Sequence, residues 1–356
     1  MLKKKKNIIA LLLVPQYFLI TLLSYFPDFV EQYYSHGLYP FISKTLRYTL
    51  GWMPFSFGDL IYTFTIVYAI RWVFKNRKRI KKDTKSWLID VFAAVSIFYF
   101  VFHLFWGFNY YRLPLHESLN INDEYSNELL IKVTEQLIKK SNALHLSITN
   151  NDTIKVDLPF EKTQILNMMP SGYRNLNSRF ADLKYSPKSV KTSLYSYLLT
   201  YMGFSGYLNP FTNEAQVNRL IPVYKFPTTT AHEMAHQLGY AAENEANFIG
   251  WLATTNHDDL YIRYTGYTFG LRFCLNEIYR RDECLYEDLV ADVNLGIAKN
   301  YKEVRQFWEV HDNPAEPIFK IFYSNFLKAN KQDKGMDSYS YVVALLVNYI
   351  EKEPLY

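Results

Sequence analysis

The stretch from Thr228 to Trp251, TTTAHEMAHQLGYAAENEANFIGW, carries the residues best suited to chemistry. His232 and His236 are four residues apart, so a helix places both imidazoles on one face. From that face both rings can reach one Zn²⁺ at about 2.0–2.1 Å. Glu233 lies next along the helix, near enough to take a proton from water activated by the metal without being a ligand. The spacing predicts a metal site with Glu233 as general base.

A zinc ion that performs catalysis needs a third protein ligand and an open coordination position. Two candidates, Glu243 and Glu245, follow in the segment ENEANFIGWL. A helix that starts near Glu243 places Asn247 on the same face, where its amide would hydrogen-bond a ligand histidine. Glu245 shares a face with Phe248 and other apolar residues, where a buried carboxylate needs a partner that the metal would provide. The helix face on which each side chain lies favours Glu243 as the ligand, with Glu245 as the alternative.

The residues around the histidines predict how the site helix begins and ends. The threonines at 228–230 would cap its start, and Gly239 would end it and turn the chain back over the metal. A segment rich in Gly, Pro and Asn before the helix indicates short strands, around 214–218 or 223–226. Such a strand either presents an edge to an extended peptide or forms a simple hairpin.

Three apolar segments near the N-terminus are long enough to cross the roughly 30 Å hydrocarbon core of a bilayer. We predict spans at about 8–26, 54–74 and 87–107. The first carries no charge from Asn7 to Phe26. It exceeds the apolar region of a signal peptide in length, which indicates a retained anchor. The acids Asp59 and Asp90 are expected near the membrane interface or paired within the three-helix bundle.

The distribution of charge predicts the orientation of these spans. Residues 1–107 contain 14 Lys/Arg and 5 Asp/Glu, whereas residues 108–356 contain 25 and 29. The basic residues lie before the first span and in the loop KNRKRIKKDTK between the second and third, and both regions belong on the cytoplasmic side. Three spans then place residues 108–356 outside the cytoplasm. We expect a multi-pass protein of a bacterial cytoplasmic membrane with its N-terminus inside.

The same composition limits the partners. Lipid headgroups and topology account for the basicity, and no alternation of aromatic and basic residues indicates RNA or DNA binding. We therefore expect a lipid bilayer and a peptide or protein substrate as partners, and no nucleic acid. Cys274 and Cys284 are in neither a CxxC nor a zinc-ribbon spacing, which excludes a cysteine metal site. The sequence is compatible both with a disulfide between them and with two unpaired thiols.

Residues 108–356 predict one mostly helical domain with a small β element just before the site helix. Helical patterns run over about 123–144 and 161–183, and the last helix covers about 338–350. The predicted fold class is mainly α, with three membrane helices followed by an α+β domain.

HEMAH followed by E-x-x-A-N resembles the gluzincin pattern, in which a glutamate on a second helix is the third ligand and an Asp or Asn four residues later supports a histidine. The resemblance implies Glu243 as ligand and Asn247 as its support. The spacing from His236 to Glu243 is much shorter than in thermolysin-like enzymes. Metzincins place His or Asp where this chain has Ala242, which excludes that class.

A second resemblance covers nearly the whole chain. It rests on the three spans together with WGFNYYRLPL, SGYLNPFTNEAQVN, HEMAHQLGYAAENEANFIGWLA and FLKANKQDKGMDSYSYVVALL. The chain resembles an uncharacterised bacterial family of membrane-anchored, zincin-like proteins. This resemblance implies a zincin-like fold for residues 108–356 and no particular substrate.

The leading hypothesis is a membrane-anchored zinc metallopeptidase, with Zn²⁺ as cofactor, that cleaves peptide bonds outside the cytoplasm. Glu233 would take a proton from the attacking water and pass it to the leaving amine. The oxyanion donor stays open among Tyr240, Arg263, Tyr264 and His311. The alternative is a non-catalytic envelope protein with a structural or vestigial metal site, which would not need Glu233 and would close the metal with four protein ligands.

Overall fold

The apolar N-terminal segments form membrane helices. Within residues 2–330 and 339–355, which the computed structural model describes, three helices are long and apolar enough to cross a membrane. They run over Lys4–Leu23, Phe57–Asn76 and Thr84–Phe105. The three predicted apolar helices are confirmed, with ends that lie two to four residues from the predicted bounds, and the chain is a membrane protein. Residues 331–338, which hold part of the segment FLKANKQDKGMDSYSYVVALL and the predicted start of the last helix, lie outside the described residues.

The helices of the membrane part and of its connections begin and end where prolines and polar caps allow. Ser56 caps the second span by accepting a hydrogen bond from the backbone N–H of Asp59. Pro27 and Pro40 stand at the starts of their helices, where a missing N–H costs no hydrogen bond. The helices are α1 (Leu2–Leu11), α2 (Leu13–Leu23), α3 (Pro27–Phe29), a π-helix (Val30–Leu38), α4 (Tyr39–Leu50), α5 (Phe57–Asn76), α6 (Arg79–Lys82) and α7 (Thr84–Phe105).

The two acids within the spans have different partners. Asp90, near the start of α7, pairs with Lys6 at 2.8 Å and with Arg79 at 3.0 Å, so its pairing within the membrane part is confirmed. Asp59, in the first turn of α5, is fully buried and accepts hydrogen bonds from Ser193 Oγ at 3.0 Å and Leu194 N at 2.7 Å. Its partners therefore come from the domain that follows the spans and not from the membrane bundle.

The helical domain after residue 107 is built on packed helix pairs. Its central helices pack in the order α13, α14, α15 and α9, around buried side chains that include Phe248, Trp251 and Tyr264. The predicted mainly α fold is confirmed. The helices are α8 (Leu115–Leu119), α9 (Asn127–Thr149), α10 (Lys162–Met168), α11 (Pro170–Leu176), α12 (Ser196–Tyr201), α13 (Phe226–Gln237), α14 (Glu243–Thr255), α15 (Leu260–Arg281), α16 (Glu283–Ala291), α17 (Leu295–Val310), α18 (Glu316–Ala329) and α19 (Tyr339–Lys352).

A small mixed sheet precedes α13. Its strands are β1 (Val190–Thr192), β2 (Gly206–Asn209) and β3 (Glu214–Val217), in the order β1-β3-β2. β3 is buried in the middle, parallel to β1 and antiparallel to β2. The hairpin of β2 and β3 turns at Asn213, which adopts φ +51°. β2 is thus the edge strand on the side away from β1.

Several local expectations are corrected. The strand considered at 223–226 is wrong, because Val223–Lys225 form a 3-10 turn that leads directly into α13. The pattern at 161–183 is split into α10 and α11, and Pro170 starts the second of them. Cys274 is buried and Cys284 is exposed, and both are free thiols, so they do not form a disulfide.

Candidate metal centre

The site helix α13 is set by a proline at its start and a glycine after its end. Pro227 occupies its first turn, where its fixed φ favours helix. The threonines expected to cap it lie inside it instead, and Thr230 Oγ1 donates to the carbonyl of Phe226 at 2.7 Å. Gly239 has φ +93°, which ends the helix as predicted because other residues rarely adopt that angle.

The chain then folds back, and α14 brings a carboxylate to the two histidines. Gly250 of α14 lies so close to α13 that a side-chain carbon there would be 3.1 Å from the backbone nitrogen of His232. This close approach places the start of α14 beside the imidazoles. Glu243, the first residue of α14, has its carboxylate 3.3 Å from His232 Nε2 and 3.6 Å from His236 Nε2. The two Nε2 atoms are 3.1 Å apart.

These distances fit a tetrahedral metal site. Ligand atoms bound at about 2.0–2.1 Å and at tetrahedral angles lie about 3.3–3.4 Å from each other. The observed separations of 3.1, 3.3 and 3.6 Å agree with that triangle. His232, His236 and Glu243 form the one such group found in the described part of the chain. Two imidazoles and one carboxylate are a donor set that suits zinc.

The second nitrogen of each imidazole has a different environment. His236 Nδ1 lies 2.7 Å from the carbonyl oxygen of Tyr240. A proton on Nδ1 satisfies that carbonyl and leaves the lone pair of Nε2 for a metal. His232 Nδ1 is buried and has no partner among the described residues. Asn247, predicted to support a histidine, is half-buried one turn before Gly250, and that role stays a prediction.

Glu233 lies on α13 between the two histidines in sequence, and its side chain reaches the edge strand β2. Its side chain is buried, and Oε2 has no hydrogen-bond partner in the part of the chain that the structure describes. A side-chain carbon at Gly206 of β2 would be 2.6 Å from Glu233 Oε1, so a larger residue at position 206 would displace the carboxylate. Burial raises the pKa of Glu233 to about 7, against the lowering effect of the two histidines.

Glu245 points away from this group. Its carboxylate accepts a 2.7 Å hydrogen bond from the backbone N–H of Leu115. Burial raises its pKa to about 7, although the nearby Arg112 guanidinium lowers it. The structure therefore brings Glu243, and not Glu245, to the histidines, as helix facing favoured. A buried carboxylate needs a partner, and Glu245 has two: the backbone N–H of Leu115 and the guanidinium of Arg112.

A tyrosine that the sequence did not single out also touches the centre. Tyr323 of α18 donates a hydrogen bond to Glu243 Oε1 at 2.6 Å. Burial opposes ionisation of Glu243, but hydrogen bonds from the two histidines hold its pKa well below its usual range. Among the earlier candidates, Tyr264 donates to Asn300 at 2.9 Å and His311 faces the carbonyl of its own helix. Nothing in the local sequence around Tyr323 distinguishes it from the 30 other tyrosines.

The comparison with known families reaches across this whole arrangement. A family model described as protein of unknown function (DUF3810) matches residues 34–347. The chain belongs to this family. The matched range includes two of the three spans, α4, the sheet, and the candidate metal centre. No curated protein and no solved structure matches the chain.

The DUF3810 chain uses its membrane part to hold the end of the site helix. Trp106 Nε1 donates to the carbonyl of His236 at 3.2 Å. The hydroxyls of Tyr39 and Ser43 both donate to the carbonyl of Gln237 at 3.0 Å. These donors satisfy carbonyls that a helix end leaves without intrahelical partners. The centre of this DUF3810 member is therefore positioned by residues on both sides of the predicted domain boundary at residue 107.

A buried ion pair fixes the turn after Gly239 in the same way. Arg112 pairs with Glu31 and donates to the carbonyl of Gly239 at 3.1 Å. Its guanidinium also lies 4.2 Å from the centre of the Tyr240 ring. The turn that carries the chain from α13 to α14 is thus clamped to the connection between the first two spans of the DUF3810 chain.

Proposed function

We propose that this chain is a membrane-anchored zinc metallopeptidase that hydrolyses peptide bonds on the extracytoplasmic side of the membrane. The observation that carries the proposal is the triangle of donor atoms on His232, His236 and Glu243, with separations that suit tetrahedral zinc. Zinc held there supplies a Lewis acid that polarises a carbonyl and makes water more acidic. The side chains of His232 and Glu243 are 13% and 25% exposed, which leaves an approach from solvent.

Glu233 is the group assigned to proton transfer. Its Oε2 is buried next to the histidine pair and makes no hydrogen bond to the described residues, so it can accept a proton from an attacking water. The same oxygen then donates the proton to the amine that leaves. A purely structural metal site has no use for an unpaired carboxylate, because burying one costs free energy.

The edge strand suits a peptide substrate. β2 borders the sheet and lies beside Glu233 through Gly206. An extended peptide that pairs with such an edge places its backbone carbonyls along the strand, near the carboxylate of Glu233. This arrangement supports peptides and unfolded protein segments as the substrate class.

The charges flanking the spans support the proposed orientation. Lys4, Lys5 and Lys6 begin the first span, and the basic loop at 75–85 joins α5 to α7. Both belong on the cytoplasmic side. The helical domain and its metal centre are then extracytoplasmic, in a bacterial cytoplasmic membrane.

The first experiment is the metal content of the full-length protein purified in detergent. The full chain is needed because Tyr39, Ser43 and Trp106 hold the site helix. We expect about one zinc per chain in the wild type. Glu243→Ala should lose the metal, whereas the matched control Glu245→Ala should keep it.

Glu233→Gln then separates catalysis from a structural role. It should keep zinc and lose the ability to cleave a peptide library that the wild type cleaves. A wild type that binds zinc and cleaves no peptide would favour the non-catalytic envelope protein. A folded wild type without bound zinc would exclude the metallopeptidase.

A further inference from the structure

The helix that carries Tyr323 has two unlike faces. Tyr323 and Leu327 face the protein, and Tyr323 reaches Glu243. On the opposite face of α18, Ile321 is 61% and Phe322 is 71% exposed, with Ile318 beside them. Side chains three and four residues apart share one side of a helix, so these three form a continuous apolar strip.

A second apolar strip lies next to it on α12. Tyr197 and Leu198 are more than half exposed, and the segment 193–204 contains no charged residue. The two elements are joined, because Asn313 Nδ2, just before α18, donates to the carbonyl of Tyr201 at 2.7 Å. The exposed side chains of these two joined elements are here called the apolar patch: Ile318, Ile321, Phe322, Tyr197 and Leu198.

The patch continues the lipid-facing surface of the spans. Thr63, the seventh residue of α5, lies 2.5 Å from the hydroxyl of Tyr195, just before α12. Phe326 of α18 packs on Phe102 of α7, with ring centres 6.1 Å apart. Both elements that carry the patch thus lie directly against membrane helices.

The contacts between the helical domain and the spans lie well inside the ends of the membrane helices. At about 1.5 Å per residue, Thr63 lies about 9 Å inside the start of α5. Phe98 lies about 10 Å before the end of α7, and its ring is 4.9 Å from that of Phe211, at the tip of the β2–β3 hairpin. Spans of 20 and 22 residues have little length to spare over a hydrocarbon core of about 30 Å. The contacts of Tyr195 and Phe211 are therefore made about two turns inside the helix ends, on segments that the spans need in order to cross the bilayer.

We infer that the apolar patch is embedded in the lipid leaflet on the side of the helical domain, so that α18 is an interfacial helix lying between the metal centre and the lipid. A group of exposed apolar side chains on neighbouring elements marks an interaction site. We assign lipid as the occupant, because the patch adjoins α5 and α7, which lipid surrounds. An amphipathic helix in this position buries its apolar face at the boundary between headgroups and acyl chains.

A consequence for the substrate follows, and it rests on the proposed function. Glu243 is reached by Tyr323 from the helix whose other face lies in lipid. Segments held at the membrane surface, such as the stretch next to a membrane anchor, are then presented to the centre at high local concentration. The substrate class is peptide bonds close to the bilayer.

The test is fluorescence quenching of the full-length protein in lipid nanodiscs. Phe322→Cys and Tyr197→Cys are made in a Cys284→Ser background and labelled with bimane, since Cys274 is buried. The control is bimane on the native Cys284, which is exposed on α16, a helix that packs on α15. Each sample is measured in ordinary and brominated phosphatidylcholine, and with iodide in the water.

Labels at 322 and 197 should lose intensity in brominated lipid and resist iodide, and the label at 284 should do the reverse. Iodide quenching at 322 and 197 equal to that at 284 would overturn the inference, and so would protection from both quenchers, which indicates a protein cover. Ile321→Cys tests the same face if Phe322→Cys does not fold. The readout does not depend on zinc, so it stands apart from the outcome for the metallopeptidase.

Discussion

Tyr323 Oη and Glu243 Oε1 are 2.6 Å apart, although 80 residues separate them in the chain. The contact ties α18 to the first residue of α14, where the third donor of the candidate metal centre lies. It also gives that carboxylate a hydrogen-bond donor at Oε1, the oxygen that lies 3.6 Å from His236 Nε2. Partners of metal-binding carboxylates orient them and tune the affinity of the site.

The first prediction concerns this contact. Tyr323→Phe keeps the ring against Phe204 and removes only the hydroxyl. Zinc affinity should fall by about 10–100-fold, because Glu243 loses the donor that orients it. Competition with a fluorescent chelator measures the affinity in the full-length protein. Tyr201→Phe, at an exposed tyrosine of α12, is the control. Equal affinities for wild type and Tyr323→Phe would show that the contact does not position the ligand.

The second prediction concerns the glycine that makes room for Glu233, the proposed general base. A side-chain carbon at Gly206 would be 2.6 Å from Glu233 Oε1 and 2.7 Å from the carbonyl oxygen of Gln216. Gly206→Ala should displace the carboxylate and cost about 1–3 kcal/mol of unfolding free energy. We expect zinc content to stay unchanged while peptide cleavage falls. Zinc content and kcat measured on one preparation decide this, and undiminished cleavage would remove Gly206 from the site.

The third prediction concerns the buried ion pair between Lys191 of β1 and Glu214 of β3. Glu214 is fully buried, pairs with Lys191, and accepts a 2.5 Å hydrogen bond from Gly58 N at the start of α5. Glu214→Gln should lower the free energy of unfolding by about 3–5 kcal/mol, because Lys191 keeps its charge without a counter-ion.

The matched control is the exposed pair of Lys155 with Glu303, in which both side chains are 37% exposed. Glu303→Gln should cost at most about 1 kcal/mol. Denaturant unfolding followed by tryptophan fluorescence in detergent measures both variants. Similar losses for the two variants would contradict the assignment of Glu214 as the residue that ties α5 to the sheet.

The fourth prediction is a pH dependence of stability. Burial and the nearby Arg272 lower the pKa of Lys225 to about 7, from 10.5 in an exposed lysine. Between these values the unfolded chain binds more protons than the folded one, so the free energy of unfolding rises with pH. The contribution is at most about 1.4 kcal/mol per pH unit.

Lys225→Met should flatten this rise, since it removes the group that titrates. Thermal unfolding of wild type and variant across that range is the measurement. Lys139→Met, on the exposed side of α9, should leave the rise unchanged. A wild type whose stability falls over the same range would contradict the expected sign.

Local sequence pattern was enough to predict the elements that carry the candidate metal centre. Helical period alone places His232 and His236 on one face and favours Glu243 over Glu245, and the structure places all three accordingly. Gly239 ends the helix because its φ of +93° is strained for other residues. The three spans follow from length and apolar content alone. Each of these features depends on neighbours within one or two turns.

The misses have a common cause in contacts between distant segments. The run 223–226 has the composition of a strand, but Val223–Lys225 pack against α17 and lead directly into α13 as a 3-10 turn. Asp59 lies in an apolar span, and only the folded chain supplies Ser193, Leu194 and Tyr207 as its partners. A carboxylate in that position is stable because several donors meet it, which no local pattern encodes.

The sequence by itself determined the membrane helices, the site helix, its glycine stop, and the set of donors that can bind a metal. Only the tertiary structure decided what surrounds them: Tyr323 against Glu243, Gly206 against Glu233, and Tyr39 and Trp106 at the end of α13. The reason is physical. Periodicity and backbone preference act over a few residues, whereas these contacts join positions 27 to 198 residues apart, and which donor meets which acceptor depends on how whole helices pack.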